Sequence, residues 1–181
     1  MTSVKTLELL ISREQIAETV KRMAHQIEAD YPVEMPLLVA VLKGSFMFLA
    51  DLAREMQRPA ELDFLRLSSY GSDSTSSGVV KLKMGVTSPV KGRDAVVVED
   101  VVDTGLTTTY AARYLRRKGA SSVRVCTLLD KPSRRQSATV TPDYVGFTVP
   151  NQFVVGYGLD FDEQYRHLPD IYVLTGGDHG P

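Results

Sequence analysis

Residues 95–109 constrain the fold of this chain more than any other stretch of the sequence. Val96, Val97 and Val98 form a β-branched apolar run of the kind that is buried in a parallel sheet. Two acidic residues follow, and Asp-Thr-Gly then leads into three threonines, which favour the start of a helix. The pattern predicts a strand, a short acidic loop and the first turn of a helix.

Two properties of this loop indicate a ligand that carries both phosphate and hydroxyl groups. Ligands of open α/β sheets bind outside the carboxyl ends of the strands, and free N–H groups at a helix N-terminus bind phosphate. Glu99 and Asp100 would repel a phosphate, but carboxylates accept hydrogen bonds from the hydroxyls of a ribose. A sugar phosphate therefore suits both halves of the loop.

Length and composition limit the classes of protein to consider. The 181 residues suit a single domain over 1–181, with a disordered tail from about 176 to 181. The 21 basic residues balance 22 acidic ones, so charge gives no reason to expect a nucleic acid or a membrane as partner. One cysteine forms no intramolecular disulfide, and no signal peptide or membrane-spanning run is evident. We expect a soluble, cytoplasmic protein.

The rest of the chain alternates between strand and helix patterns. A capping box at residues 12–15 precedes a helical apolar stripe that ends before Pro32. A buried strand at 37–42 turns through Lys43-Gly44 into the next helix, and backbone N–H groups of that turn could bind a second anion. Near the end of the chain, residues 171–174 are expected to form a strand that closes a sheet edge.

A small, polar segment lies between two further predicted strands, at residues 62–68 and 80–86. We expect this segment, about 69–79, to be a flexible hairpin flap. Its Ser69 and Tyr70 would close over the reactants and exclude water from them.

The acidic loop is similar to the signature of the type I phosphoribosyltransferases, which is four apolar residues, two acids, two apolar residues and Asp-Thr-Gly-x-Thr. Residues 95–107 fill every position of it. Further segments resemble, in order, the bacterial hypoxanthine-guanine branch of that family: 42–45, 69–70, 99–107, Lys131 and 153–166. The resemblance implies an α/β fold with a central, mostly parallel sheet flanked by helices, a small hood and the flap.

The resemblance also implies the reaction and its cofactor. The 5-phosphoribosyl group of phosphoribosyl pyrophosphate would pass to hypoxanthine or guanine in purine salvage, which gives IMP or GMP and pyrophosphate. Mg²⁺ would neutralise the charge of the pyrophosphate, with Asp160 as one ligand and Glu99 and Asp100 close by. The implied partners are these small-molecule substrates and further copies of the chain, in a homodimer or homotetramer.

Roles for single residues follow from the same resemblance. Asp103 would be the general base that takes the proton from N7 of the purine. Ribose and 5′-phosphate would be bound by Glu99, Asp100, Asp103, Thr104, Gly105, Leu106 and Thr107.

Two further groups of residues would bind the base and the leaving group. Lys131 would donate to O6 of the purine, Phe153 would stack on the base, and the Val154 carbonyl would accept from the purine edge. Pyrophosphate would be bound by Lys43, Gly44 and Arg166.

Alternatives to this interpretation stay open. Lys131 and the Phe153 segment argue against adenine and pyrimidines as substrates, but they separate xanthine poorly from the other 6-oxopurines. A regulator that keeps the fold and binds RNA would need a basic face. The densest basic cluster, residues 116–118, is explained more simply as charges at a helix C-terminus. The intact Asp103 and the full flap favour an enzyme.

Overall fold

Nine strands and three α-helices make up the part of the chain that the structure describes. The structure is a computed structural model, and it describes residues 5–69, 80–136 and 139–176. The strands are β1 (Thr6–Ile11), β2 (Leu37–Leu42), β3 (Leu62–Ser69), β4 (Val80–Met84), β5 (Asp94–Val102), β6 (Ser122–Asp130), β7 (Tyr144–Thr148), β8 (Val154–Val155) and β9 (Ile171–Thr175). The helices are α1 (Arg13–Asp30), α2 (Phe46–Glu55) and α3 (Leu106–Arg117), and a 3-10 turn covers Pro132–Arg134.

Six strands form one mostly parallel sheet, in the order β4-β3-β2-β5-β6-β7. Each neighbouring pair is parallel, except that β4 runs antiparallel to β3. Helices α1 and α2 pack on one face, and α3 packs on the other. The predicted α/β fold with a central, mostly parallel sheet is confirmed.

The central strands alternate their side chains between two hydrophobic cores. Leu38 and Ala40 of β2 join the core under α1 and α2, whereas Leu37 and Val39 join the core under α3. Strands that are buried on both faces have continuous apolar sequences, because neither face meets water. This explains why the central strands could be predicted.

The three helices begin and end close to where the sequence predicts. The capping box of α1 is present, because the Ser12 backbone N–H donates to Gln15 Oε1 at 2.9 Å and the Gln15 N–H donates to Ser12 Oγ at 3.4 Å. Among the described residues, no helix combines the length and the apolar character that a membrane span requires.

A second, smaller sheet contains β1, β9 and β8, and its neighbouring strands are antiparallel. It corresponds to the small hood that the sequence predicts. The expectation that residues 171–174 close a sheet edge is wrong, because β9 lies in the middle of this sheet, between β1 and β8. Ile171 and Val173 of β9 are buried in the core under α1 and α2, and β9 pairs with β1 on one side and with β8 on the other.

Strand β5 is longer than predicted. Glu99 and Asp100 were expected in a loop, but β5 continues to Val102, and Val101 pairs with Leu129 of β6. The physical reason is that β6 also extends to Asp130 and offers backbone partners to the whole of β5. The acidic pair therefore lies inside the sheet, and the loop is reduced to residues 103–105.

The arms of the predicted hairpin are β3 and β4, which pair antiparallel as far as Ser69 and Val80. The flap residues 70–79, with Tyr70, lie outside the described residues, as do residues 177–181 of the predicted tail.

Candidate active site

A cleft of about 290 Å³ lies at the carboxyl ends of β2 and β5. It is formed by the turns that follow these two strands, which places it where α/β sheets bind their ligands. The predicted site residues in its lining are Lys43, Gly44, Glu99, Asp100, Asp103, Thr104, Gly105 and Thr107. A larger cavity of about 600 Å³, between α1, α2 and the loop before β9, contains none of the predicted site residues.

Gly44 lets the first turn approach β5 closely. A Cβ atom at this position would lie 1.6 Å from Asp100 Oδ2, a distance that no side chain tolerates. Gly158 makes a similar approach from the opposite side, since its Cβ would lie 2.2 Å from the Gly44 carbonyl oxygen. Three segments that are distant in sequence therefore meet at Gly44. The peptide bond between Leu42 and Lys43, just before this turn, is cis.

Glu99 and Asp100 are carboxyl groups in an unfavourable environment. Glu99 is only 4% exposed, and within the described part of the chain its Oε1 has no hydrogen-bond partner. Burial, with the neighbouring Asp100, raises the pKa of Glu99 well above its ordinary value. Burial also raises the pKa of Asp100 to about 6. Asp100 Oδ1 accepts a hydrogen bond from the Val101 N–H at 2.9 Å, whereas Glu99 Oε1 is left for a partner that a ligand can provide.

Helix α3 begins beside this pair. Its N-cap is Gly105 at φ 81°, which has no side chain to cap the helix, and the Leu106 N–H makes a long hydrogen bond of 3.5 Å to Thr104 Oγ1. The first N–H groups of a helix have no partner within the helix. Thr107 and Thr108 line the cleft, so these donors and hydroxyls are placed for an anion such as a phosphate.

Asp103 is paired with a residue that the sequence did not indicate. Arg134 Nε lies 3.0 Å from Asp103 Oδ1. Arg134 comes 31 positions later, in the 3-10 turn after β6, and no local pattern relates the two residues. The predicted general base is therefore present in the cleft and held by a guanidinium.

None of the predicted purine-binding residues is in the lining of this cleft, but Lys131 adjoins it, because it follows β6 and its N–H donates to the Val102 carbonyl at 3.0 Å. Lys131 is buried, its Nζ donates to the Gln152 carbonyl at 2.7 Å, and burial lowers its pKa. Phe153 follows Gln152, is 43% exposed, and meets Phe161 edge to face with ring centres 5.6 Å apart. Val154 is buried in β8. The structure thus brings Lys131 to the segment that carries Phe153.

The predicted pyrophosphate residues Lys43 and Arg166 are bridged by an acidic residue. Lys43 Nζ lies 2.8 Å from Glu163 Oε1, and Arg166 Nη2 lies 3.4 Å from Glu163 Oε2. Arg166 Nη2 also lies 2.8 Å from Asp160 Oδ1. Glu163 had no assigned role in the sequence, although it lies inside the segment that carries the resemblance.

The predicted metal ligands do not form a metal site by themselves. Among residues 5–69, 80–136 and 139–176, no three His, Cys, Asp or Glu side chains converge as ligands. Asp160 and Arg166 are nevertheless close enough to Asp100 to influence its pKa in opposite directions. Mg²⁺ commonly takes one or two carboxylates and completes its coordination with substrate oxygens and water.

Comparison with known proteins agrees with this geometry. The profile of the phosphoribosyl transferase domain matches residues 10–162. The chain belongs to the phosphoribosyltransferase family. Residues 95–107, which carry the signature, lie within this matched range.

The similarity of this phosphoribosyltransferase to its relatives covers nearly the whole chain. The chain is 45% identical to a hypoxanthine-guanine phosphoribosyltransferase of Bacillus subtilis over 167 residues, and these residues are 92% of each chain. It also matches the bifunctional protein TilS/HprT of Listeria innocua, with 43% identity over 92% of this chain and 26% of that protein. A crystal structure of a hypoxanthine-guanine phosphoribosyltransferase of Bacillus anthracis superimposes with a TM-score of 0.88, at 43% identity over 93% of this chain and 98% of that one.

Proposed function

We propose that this phosphoribosyltransferase acts in purine salvage and transfers the 5-phosphoribosyl group from phosphoribosyl pyrophosphate to hypoxanthine and guanine. The products are IMP or GMP and pyrophosphate. The observation that carries the proposal is the meeting of the buried acidic pair and the N-terminus of α3 in one cleft. The buried Lys131 adjoins them, because its backbone N–H donates to the carbonyl of Val102 at 3.0 Å, one residue before Asp103. The relatives at about 45% identity bear the name of the same activity.

The sugar phosphate fits the acidic pair and the start of α3. The Oε1 atom of Glu99 lacks a partner among the described residues, and a ribose hydroxyl would supply one. The 5′-phosphate would bind to the N–H groups and hydroxyls at the start of α3, with Thr104, Gly105, Leu106 and Thr107 around it. A ligand with hydroxyls and a phosphate would supply hydrogen-bond partners to the acidic pair and to the start of α3 at the same time.

The base would be selected by Lys131. Its ammonium group only donates, so it suits the O6 acceptor of hypoxanthine or guanine and opposes the amino group of adenine. Phe153 has an exposed ring on which the base would stack, and the Val154 carbonyl would accept from the purine edge. The hydrogen bond from Lys131 Nζ to the Gln152 carbonyl supports this assignment, because Gln152 directly precedes Phe153.

Asp103 would remove a proton from the purine. As N9 attacks C1 of the ribose, the N7 proton would pass to the Asp103 carboxylate. Arg134 now donates to Oδ1 of that carboxylate, which leaves Oδ2 to accept the proton. Ser69 and Tyr70 would close the flap over the reactants, so that water does not intercept the oxocarbenium-like transition state.

Mg²⁺ is the proposed cofactor. The donor set fits a hard cation, because Asp160, Glu99 and Asp100 supply carboxylate oxygens and the substrate would supply the rest. When bound, the ion would act as a Lewis acid that neutralises charge on the leaving pyrophosphate. Lys43, the Gly44 backbone and Arg166 would hold the other pyrophosphate oxygens.

We also propose the setting in which the protein works. Residues 1–181 would form one domain, since the small sheet shares the hydrophobic core under α1 and α2 with the main sheet. The chain would act in the cytoplasm on small-molecule substrates, as a homodimer or homotetramer.

The proposal is tested by following pyrophosphate release from phosphoribosyl pyrophosphate. Hypoxanthine, guanine, xanthine and adenine are offered separately, with Mg²⁺ and with a chelator. We expect Mg²⁺-dependent turnover of hypoxanthine and guanine, and none of adenine. The Asp103→Asn variant should lose about 100-fold or more in kcat, far more than it loses in affinity for the sugar phosphate. Absence of turnover with every base would refute the enzyme assignment, and RNA binding would then be measured.

A further inference from the structure

The carboxylate of Glu163 contacts both cations that the proposed function assigns to pyrophosphate. Its Oε1 lies 2.8 Å from Lys43 Nζ, and its Oε2 lies 3.4 Å from Arg166 Nη2. One oxygen therefore meets each cation, as two oxygens of a bound pyrophosphate would. We propose that Glu163 competes with pyrophosphate for Lys43 and Arg166, and that this competition lowers the affinity of the site for pyrophosphate.

The backbone holds Glu163 in this position. Residues 161 and 164 pair with each other in a tight turn, and Glu163 within it has φ 60°. The Glu163 N–H donates to Asp160 Oδ2 at 2.8 Å, which joins the turn to a proposed metal ligand. The same loop is fixed against the Lys43 turn, since Gly158 packs on the Gly44 carbonyl. The carboxylate is therefore directed to the two cations by the fold.

The contacts of Glu163 are suited to reversible displacement. The Glu163 side chain is 63% exposed and that of Lys43 is 49% exposed, and exposed ion pairs contribute little free energy. A hydrogen bond from Lys43 lowers the pKa of Glu163, so the side chain is ionised at neutral pH. Pyrophosphate carries more charge than one carboxylate and would displace it. After reaction, Glu163 would return to the cations and favour release of the product.

The inference rests on the proposed function and adds a residue to it. If the charge of Glu163 were removed, Lys43 and Arg166 would bind pyrophosphate without competition from another anion. We expect Glu163→Gln to tighten pyrophosphate binding about two- to tenfold, which corresponds to about 0.4–1.4 kcal/mol for an exposed ion pair with Lys43 and a longer one with the partly buried Arg166. The KM for phosphoribosyl pyrophosphate should fall in parallel, whereas the KM for hypoxanthine should not change.

The experiment titrates inorganic pyrophosphate, with Mg²⁺ present, into the full chain and follows the heat of binding. Asp162→Asn is the matched control, because it removes the same charge from the neighbouring residue, which also has a positive φ of 51°. Glu163→Asp keeps the charge and should bind pyrophosphate as weakly as the wild type. The inference requires that, of the three variants, only Glu163→Gln binds pyrophosphate more tightly than the wild type.

Several outcomes would overturn the inference. Unchanged or weaker pyrophosphate binding by Glu163→Gln means that its carboxylate does not compete, and equal tightening by Asp162→Asn means that only the general charge of the loop matters. Turnover in the same preparations separates this failure from that of the proposed function. A wild type that turns over hypoxanthine without the expected Glu163→Gln effect refutes the inference alone. A wild type that neither turns over a purine nor binds pyrophosphate refutes both.

Discussion

Lys131 is a buried cation whose position connects two segments of the site. Its Nζ donates to the Gln152 carbonyl at 2.7 Å, and its backbone N–H donates to the Val102 carbonyl at 3.0 Å. The first contact fixes the ammonium group next to Phe153, and the second ties it to the end of β5, directly before Asp103. A base bound to Lys131 would therefore also lie near the proposed general base.

Replacing Lys131 by methionine should weaken base binding selectively. A hydrogen bond to a charged group contributes about 1.5–3 kcal/mol, so the KM for hypoxanthine should rise about 10- to 100-fold. The KM for phosphoribosyl pyrophosphate should stay within about twofold of wild type, because Lys131 would not contact it. Steady-state kinetics with each substrate varied in turn measures both values. Lys21→Met, an exposed change on α1, is the control, and an equal effect there would contradict the role of Lys131.

The residues that sequence reasoning missed make contacts across long separations. The loop signature identified Asp103 because its spacing is local, but Arg134 reaches it from the far end of β6. Glu163 lies only three residues before Arg166, yet the role proposed for it depends on its contact with Lys43, which is 120 positions away. Contacts of this kind depend on how the loops cross, and a single sequence contains no periodic signal for them.

The turn between β2 and α2 is an element whose shape depends on one residue. Ser45 supports it, since its buried hydroxyl donates to the Val41 carbonyl at 2.6 Å. Gly44 lies against Asp100, and the nearest atom to its absent side chain belongs to a carboxylate on a central strand. Because that strand is paired on both sides, the turn rather than the strand would have to move.

Gly44→Ala should therefore displace the turn and weaken pyrophosphate binding. Overpacking of this kind costs about 1–3 kcal/mol, which should appear in the free energy of unfolding measured with urea. Pyrophosphate affinity, measured by calorimetry, should fall about tenfold or more. Gly92→Ala is the control: φ is 77° there, but no described atom lies within 4 Å of the added Cβ. That variant should lose stability and keep its affinity; wild-type affinity in Gly44→Ala would contradict the prediction.

Most elements could be predicted because their patterns reflect their own burial. The apolar run of β2 and the apolar stripe of α1 indicate which faces of these elements pack against the core. The end of β5 and the place of β9 could not be predicted in the same way. The length of β5 depends on its pairing with β6, and the central position of β9 depends on β1 and β8, which lie elsewhere in the sequence.

At the scale of the whole molecule, the fold buries two adjacent carboxyl groups, and one oxygen of Glu99 has no hydrogen-bond partner among the described residues. Burial raises the pKa of Glu99 well above its ordinary value and that of Asp100 to about 6. The folded protein therefore retains protons that the unfolded chain releases as the pH rises above the ordinary carboxyl range. The contribution of these two groups to stability then falls with increasing pH, because at these groups the folded state binds more protons than the unfolded state. The site is prepared for its ligand at a cost in stability.

The substitution Glu99→Gln should restore part of the stability that is lost by burying this carboxyl group. At low pH, where Glu99 is protonated in both the folded and the unfolded wild type, the variant and the wild type should have similar free energies of unfolding. Because burial raises the pKa of folded Glu99, the unfolded wild type ionises first as the pH rises, and the advantage of the variant should grow with pH. Urea unfolding at pH 4, 6 and 8 in metal-free buffer measures the difference.

The control is Glu8→Gln, an exposed change on β1, which should not alter the pH dependence of unfolding. A parallel pH dependence of wild type and Glu99→Gln would contradict the proposed origin of the destabilisation. If Glu99 also accepts a ribose hydroxyl, the same substitution should raise the KM for phosphoribosyl pyrophosphate as it raises stability at pH 8. A gain in stability together with unchanged substrate binding would show that Glu99 is destabilising but does not bind the sugar.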